Sequence, residues 1–438
     1  MNTVRRGAAA LAAAAVVIGT GAALALPAAA APSPSDAPSD SASASSEPTP
    51  DSASASASAS GASSGLYGTA DPTYDGVWRQ SYAFLAQRGA GFQPADVAVD
   101  WLLGQQCADG SFSAYRADTA TPCDAKTMRD TNATALAVQA LGSVRRESAD
   151  PEKVDKAVKA GDGWLRSVQN KDGGWGYTAG GPSDANSTSL VAGALAATGI
   201  KPGSYTSVEG RTPYDALLTF ALPCSDKDGA GAFAYQPDKT GKLLANADAT
   251  AAATLAGLGK SVVSTKASPE QSPTCQDLTK PTVERASLNG ASYLAKALAK
   301  TGHLTAPPMP GSTDTTEKPD VGNTADAVLA LAAAGATKEA QPALEWLEKN
   351  SAAWAKESGP AAYAQLILAA RATETDPREF GTADLVEQLN ALGPAPKSPD
   401  TSDAATSDDE SGFDVWWIIG IGMVVGVGIG FLVSGRKK

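Results

Sequence analysis

The sequence predicts an all-α body, a double-walled ring of about six inner and six outer helices, and three observations predict it. First, three loops repeat one pattern: QCADGSFSAY from Gln106, QNKDGGWGY from Gln169 and CSDKDGAGAFAY from Cys224. Each turns through Asp-Gly (Asp109-Gly110, Asp172-Gly173, Asp228-Gly229), presents an aromatic pair and leads into a segment opening with Asn, Asp and Thr. Self-similarity at a long period marks supersecondary units that bury their apolar faces only by stacking. Second, apolar residues recur at spacings of three and four, and no alternating β-branched run competes. Third, segments that are small and apolar all round (ALAVQALG, SLVAGALAATG) alternate with segments charged on one face (PEKVDKAVKAGDGWLRSVQ). The former belong inside and the latter outside.

Taken in order, helices are expected near residues 75–88, 94–105, 129–142, 151–169, 184–198, 211–222, 246–259, 282–301, 321–335, 338–349, 358–373 and 379–392. Pro94, Pro151, Pro213 and Pro342 fall near starts, where a missing N–H is tolerated. Gly142, Gly199, Gly259 and Gly335 fall where helices should stop. The third, fifth, seventh and ninth open with related signatures: Asp130-Thr131-Asn132-Ala133-Thr134, Asp184-Ala185-Asn186-Ser187-Thr188, Asn246-Ala247-Asp248-Ala249-Thr250 and Asn323-Thr324-Ala325-Asp326. In a ring these polar starts gather at one mouth. Asp130, Asn132, Asp184, Asn186, Asn246, Asp248 and Asn323, with Trp175 and Tyr177 of the second loop, are therefore the candidate ligand-binding residues. The same residue types are the preferred helix N-caps, each worth ~1 kcal/mol, and the loop aromatics equally serve to pin a loop against its neighbour.

The ends speak of place. Residues 1–30 read as a secretory signal, with Arg5 and Arg6 before an Ala-rich apolar run and Ala28-Ala29-Ala30 at the cleavage end. Residues 31–65, almost wholly Ser, Ala, Pro, Asp and Thr, read as a disordered linker. The ring occupies 66–393, and 394–414 is an acidic linker. The uncharged run 415–434 matches the ~20 residues of a transmembrane helix, with Trp416 and Trp417 at the interface and a basic tail, 435–438, on the cytoplasmic side. No LPxTG-like pentapeptide precedes it, which disfavours wall anchoring. A single-pass cell-membrane protein with its body outside is expected. Gly422, Gly426 and Gly430, spaced by four, suit close approach of another membrane helix such as a transporter subunit.

Charge excludes one partner class. With 35 Lys and Arg against 47 Asp and Glu, net −12, the chain lacks the clustered positive charge that nucleic acid requires. The four cysteines fit two disulfides in an exported protein; of three connectivities, Cys107–Cys123 and Cys224–Cys275 are favoured because each pair brackets one loop. No Cys pair has zinc spacing, the single histidine, His303, is far from any Cys, and Asp226-Lys227-Asp228-Gly229 lacks the rest of a calcium loop, so no metal is expected.

The Gln-x-x-Asp-Gly-x-Trp turn, complete at Gln169–Trp175 and with Phe for Trp at Gln106–Phe112, resembles the repeat of the α/α-toroid superfamily, the prenyltransferase/squalene-cyclase type. The resemblance covers Leu66 to about Leu392 and implies an α/α toroid. The chain lacks the superfamily's enzymatic signatures: an Asp-x-Asp-Asp acid, an Asp-Asp-x-x-Asp metal site, the zinc set of the prenyltransferases and a thioester Cys. DTNAT and DANST place amides where a cyclase needs acids. The resemblance therefore points to the non-catalytic, transcobalamin-like branch and implies capture of a small molecule, with cobalamin the named candidate; the expected membrane anchor and outside placement suit delivery to a transporter. Alternatives are a terpenoid-cyclase-like enzyme using Asp130 or Asp184 as its acid, and a surface scaffold or adhesin.

Overall fold

A computed structural model describes residues 65–263, 268–277, 279–306 and 316–398. The expected signal, most of the two linkers, the membrane span, the basic tail and Gly422, Gly426 and Gly430 lie outside the described residues. Among the described residues no helix is long and apolar enough to cross a membrane.

The described chain is mostly helical: α1 (Gly76–Gly89), α2 (Asp96–Gln105), α3 (Thr131–Val144), α4 (Pro151–Ser167), α5 (Ala185–Ala197), α6 (Pro213–Leu218), α7 (Ala247–Gly257), α8 (Val283–Leu298), α9 (Val321–Ala333), α10 (Thr337–Asn350), α11 (Ala352–Ser358), α12 (Pro360–Ala372) and α13 (Leu385–Asn390). Two antiparallel ribbons, β1 (Phe233–Ala234) with β2 (Ala245–Asn246) and β3 (Leu304–Ala306) with β4 (Lys318–Asp320), were not expected from the sequence. At two or three residues each, they are too short to show a strand period.

Burial separates two helix types. In α3 only Asn132, Gly142 and Ser143 escape full burial, and α5, α7, α9 and α12 are similarly enclosed. In α4 the buried set is Val154, Ala157, Val158, Gly161, Trp164 and Leu165, one face of an amphipathic helix. The enclosed helices pack in a cycle of neighbours: α1 on α3, α3 on α5, α5 on α7, α7 on α9, α9 on α12, and α12 back on α1. Each also packs on the helix that follows it in the chain, α2, α4, α6, α8, α10 or α13. The alternation read from composition is this alternation of enclosed and one-faced helices.

Three details depart from expectation. Gly359, at φ 76°, breaks the chain between α11 and α12, so 351–359 holds a short extra helix. Pro342 lies inside α10 rather than near its start, because that helix begins at Thr337. The body also runs past 393: Tyr67 Oη donates to the Pro394 carbonyl at 2.8 Å, Lys397 and Gln93 exchange backbone hydrogen bonds, and Lys397 pairs with Asp96 at 2.7 Å. The two ends of the body thus meet at a seam beside α1 and α12. Both expected disulfides form, Cys107–Cys123 and Cys224–Cys275, and all four cysteines are used, as suits an exported body.

Candidate ligand-binding mouth

The repeated loop is a mechanical device, and its residues can be assigned one by one. Gln106 donates to the Gly110 carbonyl at 3.0 Å and Gln169 to that of Gly173 at 2.8 Å. Asp109 accepts from the Ser111 N–H and Asp172 from the Gly174 N–H, both at 3.0 Å. Gly110 and Gly173 sit at φ 92° and 93°, and a Cβ there would stand 2.1 Å from the Ala160 carbonyl oxygen and 2.2 Å from that of Thr212. The aromatic two residues on, Phe112 or Trp175, is fully buried, and the Trp175 indole donates to the Leu165 carbonyl at 2.8 Å. In the third loop the left-handed glycine two residues before the aromatic is Gly231, not Gly229. The expected Asp228-Gly229 turn is therefore out of register, and Gly231 packs against Asn289 and the Cys275 sulfur instead.

The five-residue signature divides in the same way. Its first residue caps the helix: Asp130 accepts from Ala133 N–H, Asp184 from Ser187 N–H and Asn246 from Ala249 N–H. Its fifth is a threonine whose hydroxyl accepts the backbone N–H of the buried loop residue: Thr134 from Phe112, Thr188 from Trp175, Thr250 from Phe233. A fourth copy follows the same plan, with Asp320 as cap and Thr324 accepting from Leu304. Sequence reading missed Asp320, because Leu304 replaces the aromatic and no Asp-Gly turn announces it. Asn323 therefore holds no cap position; it donates to Asp320 at 2.7 Å. Neighbouring units are tied at this end by Thr131 N–H to the Tyr177 carbonyl and Ala185 N–H to that of Tyr235. The Tyr177 and Tyr235 phenols, raised first by burial, also feel the charges of Asp130 and Asp184.

The third residue has no such duty. Asn132, Asn186 and Asp248 are half-buried, and Gly322 holds the equivalent place in α9. Asn186 donates to Asp248 at 2.5 Å, from α5 to α7. Gln365 of α12 donates to Asp326 of α9 at 3.1 Å, and Trp354 and Gln365 lie over Gly322. On α1, the rings of Trp78 and Tyr82 lie 5.3 Å apart, tilted by 55°, and Tyr82 faces the charges of Asp326 and Asp248. The side-chain oxygens of Asn132 and Asn186 are buried without a partner. The structure thus brings Asn186 and Asp248 together with Tyr82, Asp326 and Gln365, which sequence reading did not select. Asp326 closes the signature read for the ninth helix but is passed over there, because that signature reads from Asn323 and not from the true cap Asp320; Gln365 lies within an apolar helix.

Burial sets the electrostatics. It raises the carboxyls of Asp130 and Asp184 above the ordinary range, against the hydrogen bonds they accept. Asp248 is raised by burial and by the charge of Asp320. Asp326 is pushed up to about 7, by burial first and then by Asp248 and Asp320. Burial likewise lifts Tyr235 to about 12, with Asp184 adding to it. Trp175, 1% exposed, is packing; Tyr177 is exposed at the rim. Two hollows, of about 190 and 550 Å³, lie away from this cluster, beside the loop closed by Cys107–Cys123. Their one arginine, Arg116, is spent on backbone carbonyls, including that of Thr121 at 2.6 Å.

No protein-family model and no curated protein matches the chain. Among solved structures, a protein from Actinoplanes is similar at 19% identity and a TM-score of 0.32, over 67% of this chain and 100% of that one. A wild-type glycosidase is similar at 12% identity and a TM-score of 0.45, over 72% and 93%, and a sugar epimerase from a ruminal bacterium at 13% and 0.39, over 66% and 80%. At TM-scores below 0.5 these likenesses carry no argument about chemistry.

Proposed function

We propose that this chain is an extracytoplasmic α/α toroid, held to the cell membrane by a C-terminal span, that captures a small molecule at the mouth where its inner helices begin. The observation that carries the reading is the division of labour in the repeated signature. First and fifth residues are consumed by capping and loop clamping, while at the third position Asn132 and Asn186 keep buried side-chain oxygens unpaired and Asn186 reaches Asp248 of the next unit. Buried polar atoms left without partners are rare and call for an explanation, and a ligand supplies one.

The test is titration of the purified chain with cyanocobalamin and with a panel of small polar compounds, followed by calorimetry. For any compound that binds, replacing Asn132 and Asn186 together by Ala should weaken binding tenfold or more while changing stability by less than about 1 kcal/mol, the usual range for such substitutions away from caps. Asp130→Ala serves as the control: it removes a cap, costing ~1 kcal/mol, and should leave affinity nearly intact. Affinity unchanged in the double variant would end the mouth assignment.

A second reading, an enzyme, is favoured by one observation: Asp326, with its carboxyl at about 7 beside a second carboxylate, has the poise of a general acid. Asp130 and Asp184 are locked as caps, so an acid would be Asp326 instead. Turnover abolished by Asp326→Asn would establish it.

A further inference from the structure

The mouth has a one-sided chemistry that narrows what it can hold. Three carboxylates, Asp248, Asp320 and Asp326, act on one another there. Among the described residues none of them forms an ion pair. Their partners are neutral: Asn186 for Asp248, Gln365 for Asp326, Asn323 for Asp320. Acceptors also exceed donors, since the Asn186 amide is oriented by its bond to Asp248 and so presents its unpaired oxygen, as Asn132 does. Tyr82 is only 5% exposed, faces Asp326 and Asp248, and its hydroxyl has no hydrogen-bond partner among the described residues. The Trp78 ring lies 5.3 Å from that of Tyr82, which faces the carboxylates, and Trp354 lies over Gly322 of α9, so aromatic rings accompany the acidic cluster. Carboxylates with no cation of their own, unpaired oxygens and flanking π-faces together match a donor-bearing organic cation, which gains ion pairing and cation–π contact at once.

Resting on the ligand-binding reading above, we infer that the mouth binds an organic cation, an ammonium or guanidinium compound, seated between Asp248 and Asp326 against Trp78 and Tyr82. A neutral polyol would leave the carboxylates' repulsion unrelieved, and an anion would add to it. The groups facing Asp326 are Asp248 from α7, Asp320 at the head of α9, Tyr82 from α1 and Gln365 from α12. No Lys, Arg or His of α7, α8, α10 or α12 acts on it. A bound cation therefore favours its ionised form, and affinity should rise with pH through about 7 and level above.

The experiment is calorimetry on the full-length chain with agmatine and choline as cationic probes, methyl glucoside as the neutral one and glucuronate as the anionic one. A cationic probe should bind at least tenfold more tightly than either of the others, and more tightly at pH 8 than at pH 6. Asp248→Asn and Asp326→Asn should each weaken it tenfold or more, and Tyr82→Phe about threefold. Thermal melting of the Asn variants at or above the parent temperature shows that folding is not the cause. If a cation binds but neither Asn variant weakens it, the inference falls. If methyl glucoside or glucuronate binds better, and Asn132→Ala with Asn186→Ala weakens it, the mouth stands as a site but the cation is wrong. If no probe of any class binds, the inference falls, while the capture reading stands or falls on the cyanocobalamin titration above.

Discussion

Asp326 is a single residue on which folding and the proposed cation binding pull in opposite directions. Its carboxyl sits at about 7 in the folded chain, against ~3.9 for an unfolded aspartate. Between those values the folded protein keeps a proton that the unfolded chain has released. The contribution of this residue to stability is therefore full below pH ~4, declines as pH rises towards 7 and changes no further above it. Melting temperatures between pH 5 and 7 should show this downward slope, and Asp326→Asn should flatten it; an unchanged slope would place its source elsewhere. Gly173 is constrained in the opposite sense, by space. With φ at 93° and the Thr212 carbonyl oxygen 2.2 Å from where a Cβ would stand, Gly173→Ala has neither conformation nor room. Urea unfolding should report a loss of about 2 kcal/mol or more, with Gly180→Ala, also at positive φ but open to solvent, losing less.

At the scale of one loop and its helix, the unit of construction is a reciprocal clamp. The cap residue orders the helix start, and the threonine four residues later accepts the N–H of the buried loop residue. Thr188→Val keeps the shape but leaves the Trp175 N–H buried without an acceptor, a penalty of ~1–3 kcal/mol. Denaturation of the variant should show a loss in that range, and amide exchange at Trp175 should accelerate. These units explain what was legible in the sequence. Gln106, Asp109, Gly110 and their counterparts each perform one local task, so the pattern survives as a motif. Register across a longer loop does not. CSDKDGAGAFAY carries two candidate glycines, and only packing against Asn289 selects Gly231. The fourth unit is invisible for a related reason: hairpin pairing of Leu304 with Asp320 delivers the cap there, and pairing across 16 residues leaves no local signature. In the acidic cluster, Asn186 and Asp248, which the structure joins, stood out because they sit inside the motif. Tyr82, Asp326 and Gln365 did not, since only the juxtaposition of α1, α7, α9 and α12 brings them together.

Over the whole body, the cycle of neighbouring helices leaves no terminal repeat to be capped, and the covalent cross-links are not evenly shared. Cys224–Cys275 closes a separation of 51 residues and ties the third loop to the segment before α8. Cys107–Cys123 closes only 16. Chain entropy makes the longer loop the more stabilising link, within the usual 2–4 kcal/mol. Cys224→Ser with Cys275→Ser should therefore lower the melting temperature more than Cys107→Ser with Cys123→Ser, and an equal or reversed order would show that local packing dominates.

The seam where the two ends of the body meet decides how it would carry a load. Tension applied through residues 65 and 398 is borne first by the contacts at that seam: Tyr67 to Pro394, Gly68 to Leu392, and Gln93 to Lys397. Neither disulfide spans it, so no covalent link shares the force. A single-molecule extension trace should begin with the parting of α1 from α12, and only then proceed, helix pair by helix pair, around the circle. A closed cycle of helices is, by this construction, a clasp that opens when drawn by its ends.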